Sequence, residues 1–248
     1  MTLEQFFAEN PKVALAFSGG VDSAYLLYAA KKFGAQVCAY YVKTPFQPQF
    51  EYDDARNLAR DLGADMTTLE VDVLAHSTIA ANPENRCYFC KKKIFTTILA
   101  QANRDGFPLV IDGTNASDDC AERPGMQALL ELSIRSPLRE CQLSKKDIRF
   151  LSKEANLFTH DKPAYACLAT RIPTGTEITP DLLAKTERSE AFLKTLGFID
   201  FRIRHLDGSA KLEVRQEQRP LLIARQEAIV AELKKDYTTV LLDLEVRQ

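Results

Sequence analysis

Ser18-Gly19-Gly20-Val21-Asp22-Ser23 combines two hydroxyls, two glycines and a carboxylate directly after the apolar run Val13-Ala14-Leu15-Ala16-Phe17. A strand that turns into a helix in this way is where an α/β sheet places an anion site. Backbone N–H groups and a helix N-terminus both favour negative charge there. Gly19 and Gly20 allow the backbone to approach phosphate oxygens closely, and Ser18 and Ser23 add hydroxyl donors. Asp22 would repel a phosphate unless a cation lay between them, which implies Mg²⁺. The string is not the GxxxxGK[ST] loop, since it lacks the lysine, nor a dinucleotide fingerprint, since it lacks a third glycine. The plain alternative is a glycine turn, and five specified residues in a strand–loop–helix context argue against it.

A second constellation is built on thiols. Cys87-Tyr88-Phe89-Cys90 opens a helical segment, and Cys167 lies in Tyr165-Ala166-Cys167-Leu168-Ala169-Thr170-Arg171. Two thiolates at C-x-x-C spacing can chelate one centre, and the positive end of a helix favours the thiolate form. Arg86 and the run Lys91-Lys92-Lys93 add positive potential. Three thiolates leave two metal readings. One is zinc with a fourth ligand such as His76 or His160. The other is a [4Fe–4S] cube held by three cysteines, with one iron open to exogenous sulfide. A reduced structural pair is the metal-less alternative. Cys38 sits in an apolar strand and reads as core. Cys120 and Cys141 have no partner at metal spacing, and His76, His160 and His205 are isolated.

The elements that must position these residues follow from the apolar pattern. Buried strands are expected at 13–17, 37–42, 67–71 and 109–111. Helices are expected at 24–33, 51–62 and 88–104, the first two ending at Gly34 and Gly63. Ser144 and Asp147 form the two halves of a capping box for a helix over 145–155. This alternation predicts an α/β fold with a parallel sheet. After about residue 175 the pattern changes. Thr179-Pro180 starts a helix that ends at Gly197. Two alternating strands, 201–204 and 211–214, flank Asp207-Gly208-Ser209, a hairpin turn. A charged helix over 220–235 and a last strand at 240–244 complete a small α+β unit with one open sheet face. The expected domains are therefore 1–175 and 176–248.

Composition narrows the class. The chain has 248 residues, 46% hydrophobic and 27% charged, with 10 glycines and 11 prolines, which excludes collagenous and disordered chains. A net charge of −2 gives no global argument for nucleic acid or an acidic membrane surface. Six cysteines are too few for a disulfide scaffold at this length. No apolar run reaches membrane-span length and the N-terminus lacks signal-peptide character, so a cytoplasmic location is expected.

Ser18 to Ser23 resembles the SGGxDS signature of the PP-loop ATP pyrophosphatases, whose fold is Rossmann-like. The chain as a whole resembles the LarE family of ATP-dependent sulfur transferases in nickel-pincer nucleotide cofactor synthesis. The matching segments are Ala16 to Ser23, Tyr88 with Lys91-Lys92, Asp112-Gly113-Thr114-Asn115, and Asp118-Asp119 with Arg123-Pro124-Gly125. They continue through Arg135-Ser136-Pro137-Leu138, Cys167 with Arg171-Ile172-Pro173-Thr174-Gly175-Thr176, and Arg202-Ile203-Arg204.

The resemblance implies that ATP adenylates a carboxylate of a pyridinium dicarboxylate mononucleotide and that sulfur then replaces AMP. In one branch of the family a single cysteine, at the position of Cys167, is sacrificed to dehydroalanine. The branch closer to this sequence holds a [4Fe–4S] cluster on C-x-x-C plus that cysteine, here Cys87, Cys90 and Cys167. The resemblance further implies Ser18, Asp22 and Cys167 as catalytic residues. Ser18 to Ser23, Asp112, Gly113, Arg123, Arg171 and Arg204 become nucleotide- or substrate-binding, and Arg202 a further phosphate or carboxylate contact, with surface ion pairs the plain alternative for each arginine; Glu213 is either a metal contact in the family manner or a strand glutamate facing water. Asp118 and Asp119 follow the fourth strand with no assigned role. The implied partners are a small nucleotide carboxylate, sulfide or a sulfur donor protein, and further copies of the chain; nucleic acid and membrane are not among them. Two competing functions remain open. One is tRNA thiolation, against which the charge of −2 argues; the other is a redox-responsive adenine nucleotide-binding regulator.

Overall fold

A computed structural model describes residues 1–118, 124–245 and 247. Its helices and strands are α1 (Leu3–Glu9), β1 (Lys12–Ala16), α2 (Val21–Lys32), β2 (Gln36–Lys43), α3 (Gln49–Asp61), β3 (Asp65–Glu70), α4 (Ser77–Ala80), α5 (Arg86–Arg104), β4 (Val110–Ile111), α6 (Pro124–Glu131), α7 (Pro137–Glu140), α8 (Lys145–Glu154), α9 (Pro180–Thr195), β5 (Arg202–Leu206), β6 (Ser209–Glu213), α10 (Arg219–Ala224), α11 (Gln226–Leu233) and β7 (Val240–Leu242). They group into two units, 1–73 with 85–162 and 74–84 with 163–248.

The first unit is an α/β sheet in the order β3-β2-β1-β4, with every pairing parallel. The continuous apolar runs of β1 and β2 reflect burial on both faces. Val13, Leu15, Val37, Ala39 and Tyr41 join one core with Phe6, Leu26, Leu27, Leu138 and Ile148. The intervening Ala14, Cys38 and Tyr40 are buried too, and α5 lies against β1, β2 and β4. Cys38 is therefore core, as expected, with its sulfur 3.6 Å from Thr67 Oγ1. Each buried leucine or phenylalanine here contributes about 1.5–3 kcal/mol. The capping box at α8 forms with both halves in place. Helices α1, α6 and α7 were not anticipated, and a single bridge from Ile111 to Arg135 extends the sheet beyond β4.

In the second unit, β5 and β6 form the expected antiparallel hairpin, closed by Asp207 (φ +46°) and Gly208 (φ +78°). Two consecutive positive φ values give the turn whose twist matches its strands. Strand β7 adds in parallel to β6. Leu193, Phe198, Phe201, Ile203, Leu212, Ile229, Leu233 and Tyr237 form the core. Thr179 caps α9 by accepting from Leu182 N–H, with Pro180 at the first helical position. The single helix expected at 220–235 is instead two, α10 and α11. Arg225 leaves helical geometry (φ −112°, ψ 9°), and its N–H is shared between the carbonyls of Leu221 and Leu222. Composition pointed to a division at residue 175, whereas the second unit starts at Pro163 and takes in 74–84. Hydrogen bonds join that segment to 173–178: Gly175 N–H to Asn82 O (2.8 Å), Ile178 N–H to Ala80 O (2.7 Å) and Asn82 Nδ2 to Pro173 O (2.8 Å).

His205 is buried beside Tyr237, its Nε2 2.6 Å from Thr186 Oγ1. That hydroxyl already donates to Leu182 O (2.7 Å), so the neutral imidazole must donate to it. Burial pushes the His205 pKa below 6.5, against a smaller opposing contribution from the Leu182 backbone. Above that pH His205 is neutral in both states, and below it the unfolded chain gains a proton that the folded unit resists. Stability should thus fall as pH drops below about 6.5. Chemical denaturation of the native chain and of His205→Gln between pH 7.5 and 5.5 tests this. The slope attributed to His205 should be missing from the variant, and equal slopes would refute the assignment.

Candidate active site

Strands β2 and β3 lie on one side of β1 and β4 on the other. The order in which strands are added therefore reverses between β1 and β4 while their direction stays parallel, and the carboxyl ends of strands at such a switch point are the usual ligand position in open α/β sheets. The Ser18–Ser23 loop leaves β1 there, and Asp112–Asn115 leaves β4. The two loops meet at Gly113, where a Cβ would stand 2.9 Å from Ser23 N. Gly19 has φ +72°, and a Cβ on it would lie 2.8 Å from Ala55 Cβ of α3, so neither position accepts a side chain without displacement.

Gly20 leads into α2 in extended geometry and brings no capping side chain. The leading N–H groups of this twelve-residue helix therefore suit an anion. Ser23 is buried as a brace: its hydroxyl donates to Gly20 O (3.1 Å) and accepts from Ser18 N–H (3.3 Å) and Ser18 Oγ (3.1 Å). Ser18 is exposed at the mouth. Asp22 accepts from Asn115 Nδ2 (3.3 Å) and pairs with Lys145 Nζ at 2.5 Å. N–H donors, an exposed hydroxyl and a carboxylate able to share a divalent cation fit a magnesium-bound polyphosphate.

Asp112, expected to face the nucleotide, is instead turned into the loop. Its buried carboxylate accepts from Thr114 N–H (3.2 Å), Thr114 Oγ1 (2.5 Å) and Ser136 Oγ (2.6 Å). It ties the β4 loop to the Arg135–Leu138 segment. Asp118 accepts from Asn115 N–H at 3.0 Å. Asp119, Cys120 and Arg123 lie outside the described residues. The sequence marks Lys145 only as the start of a helix.

Cys87 lies in the first turn of α5, and Cys90 follows one turn later on the same face. Cys87 is exposed and Cys90 half-buried, and Arg86 donates to Cys87 Sγ at 3.8 Å. Cys167 belongs to the second unit. Among the described residues, no group of three or more His, Cys, Asp and Glu side chains is gathered to hold a metal. No helix among them is long and apolar enough to cross a membrane.

Residues 12–86 match the family described as queuosine biosynthesis protein QueC. An uncharacterized protein of Synechocystis sp. is 38% identical over 217 residues, 87% of this chain and 81% of that protein. An uncharacterized protein of Methanocaldococcus jannaschii is 29% identical over 96% of this chain and 91% of its own length. The pyridinium-3,5-bisthiocarboxylic acid mononucleotide synthase of Lactiplantibacillus plantarum is 32% identical over 215 residues, 86% of this chain and 78% of the synthase. This chain belongs to the LarE family of PP-loop proteins. It is an ATP-using sulfur transferase of that class.

In this LarE-family chain the arginines expected to meet substrate have distinct surroundings. Arg171 is fully enclosed: Nε and Nη2 donate to Glu190 at 2.8 and 3.1 Å, and Nη1 donates to Ala166 O (2.9 Å), Cys167 O (3.4 Å) and Thr170 Oγ1 (2.8 Å). Its Nε and Nη2 are thus taken up by Glu190 and its Nη1 by the Cys167 loop. Burial opposes the Arg171 charge, but Glu190 outweighs it and holds the pKa above the ordinary value. Arg202 donates to Phe201 O and Ala164 O, both at 2.6 Å. Burial first, and the nearby Arg171 second, lower its pKa to about 10. The Tyr165 ring lies 4.7 Å from the Arg171 guanidinium and 5.2 Å from that of Arg202. Its hydroxyl donates to Glu190 at 2.5 Å, and burial, followed by Glu190, pushes the phenol pKa up. Arg204 retains 37% side-chain exposure; it pairs with Glu213 and donates to Thr170 O at 2.7 Å. Glu213, expected to contact metal, is occupied by Arg204 and lies 3.6 Å from Lys211.

Glu190 does not stand out in the sequence, being one acid among several charged residues on a helix. It accepts from Tyr165, Arg171 and Ile203 N–H (3.0 Å), and so brackets the Cys167 loop from both sides. Glu190→Ala would leave the Arg171 charge buried and uncompensated, a loss of about 3–5 kcal/mol. Glu190→Gln, which keeps an acceptor, should lose less. Urea denaturation followed by tyrosine fluorescence reads the difference, and an unshifted Glu190→Ala midpoint would contradict this account.

Proposed function

We propose that this chain uses ATP to adenylate a carboxylate of pyridinium-3,5-biscarboxylic acid mononucleotide and exchanges the AMP for sulfur, giving a thiocarboxylate. The reading is carried by the Ser18–Ser23 loop at the sheet's switch point, in a chain 32% identical to a pyridinium-3,5-bisthiocarboxylic acid mononucleotide synthase. A carboxylate resists sulfur attack because oxide is a poor leaving group. Attack by a carboxylate oxygen on the α-phosphorus expels pyrophosphate and leaves an acyl adenylate. Hydrosulfide then adds to the acyl carbon, the C–O bond to AMP breaks with its electron pair going to AMP, and the proton is lost to water.

The loop N–H groups and the Ser18 hydroxyl hold the phosphates in this scheme, and Asp22 shares Mg²⁺, which offsets charge as pyrophosphate leaves. Arg204, with its partly exposed guanidinium, is the candidate contact for the substrate's own phosphate, and Arg123 a second. Cys87 and Cys90 on one face of α5, with Cys167, are the proposed holders of a [4Fe–4S] cluster. Such a cluster, held by three thiolates, offers an open iron to sulfide from solution or from a donor protein. The implied assembly is a homo-oligomer.

Anaerobic purification followed by iron and acid-labile sulfide analysis tests the thiol assignment. About four irons per chain are expected for one such cluster, lost in Cys87→Ala. Stoichiometric zinc, or a mass loss at Cys167 equal to conversion to dehydroalanine after one turnover, would overturn it. Pyrophosphate release that requires the dicarboxylated nucleotide tests the activation step independently, and release without that substrate would count against it.

A further inference from the structure

We propose that Lys145 is the cationic side chain of the nucleotide-phosphate site, exchanging its ion pair with Asp22 for the phosphate chain of ATP. This rests on the reading of Ser18–Ser23 as an ATP loop. That loop lacks the lysine that a GxxxxGK[ST] loop carries within its own motif. Lys145 comes from 123 positions further along the chain.

Its backbone is fixed from two sides. Lys145 is the first residue of α8, whose start is closed by the Ser144–Asp147 capping box. Its own N–H donates to Ser117 Oγ at 3.0 Å, in the loop after β4. From there the side chain spans to the first turn of α2 and meets Asp22 Oδ2 at 2.5 Å, while Asn115 Nδ2 reaches Oδ1 at 3.3 Å. The ammonium thus stands at the end of α2 where the leading N–H groups point, and the side chain is 37% exposed. An ammonium carries three protons, and the Asp22 bond uses one.

A purely structural role fits poorly by magnitude. A partly exposed pair contributes about 0–1 kcal/mol. Helices α2 and α8 are already joined through Leu26, Leu27, Ile148 and Leu151 in the core. What the pair does is hold an ammonium beside a phosphate loop and compensate Asp22 until nucleotide arrives. Asp22 then faces the magnesium brought with the nucleotide, and Lys145 faces the phosphate oxygens, so neither charge is left unpaired.

Calorimetric titration of AMP, ATP and pyrophosphate, each with Mg²⁺, into the native chain, Lys145→Met and Lys145→Arg tests the proposal. Lys145→Met should bind ATP and pyrophosphate roughly 10- to 100-fold more weakly, the range for loss of a charged hydrogen bond. The loss should be smaller for AMP, Lys145→Arg should recover part of it, and the melting temperature should hold. Native-like ATP and pyrophosphate affinity in Lys145→Met would overturn the proposal. So would an equal loss for all three ligands with a lowered melting temperature, the mark of a structural tie. If the native chain binds no ATP, the ATP-loop reading itself fails and takes this inference with it.

Discussion

A carboxylate in the first turn of α2, beside the loop proposed to hold phosphate, is the constraint around which the surrounding loops are arranged. Asp22 lies in the first turn of α2, where the helix dipole stabilises its charge. The same position would repel a nucleotide unless the charge is balanced from elsewhere. The fold supplies the opposite charge from Lys145 at the start of α8, and a hydrogen bond from Asn115 after β4 holds the other carboxylate oxygen. Glycine at 113 lets the β4 loop approach the start of α2, where a Cβ would stand 2.9 Å from Ser23 N. Asp112 ties that loop down by accepting from Thr114 and Ser136.

The same logic of a buried charge setting local geometry operates in the second unit. Glu190 is enclosed with Arg171 and takes the Tyr165 hydroxyl, so residues on both sides of Cys167 hang from one carboxylate on α9. A buried pair of this kind adds little net stability over an apolar substitute. Its value lies in orientation: a guanidinium with fixed fork geometry holds two carbonyls and a hydroxyl of the Cys167 loop at once.

Features that depend on neighbours along the chain were legible in the sequence. The Ser144–Asp147 box, the Thr179–Pro180 start, the Asp207-Gly208 turn and the parallel sheet all follow from local spacing. The break at Arg225 was hidden because Leu221, Leu222, Ile229 and Leu233 keep a spacing that a single helix would also show. Lys145 and Glu190 were hidden for a different reason. Each acts on a residue far away in sequence, and nothing in a helix start or a charged helix face marks which lysine or glutamate will do so.

The arginines show where residue type stops being informative. Arg171, Arg202 and Arg204 have the same side chain and the same family resemblance, yet their surroundings differ. Arg171 is sealed against Glu190, Arg202 is spent on two backbone carbonyls, and Arg204 keeps part of its guanidinium in solvent. Burial decides this, because a desolvated guanidinium must find internal acceptors before it can be stable at all. A substrate anion could displace such acceptors only by leaving them unsatisfied. An arginine that must release a ligand after each turnover is therefore better placed at a partly wet position, and among these three Arg204 alone meets that condition.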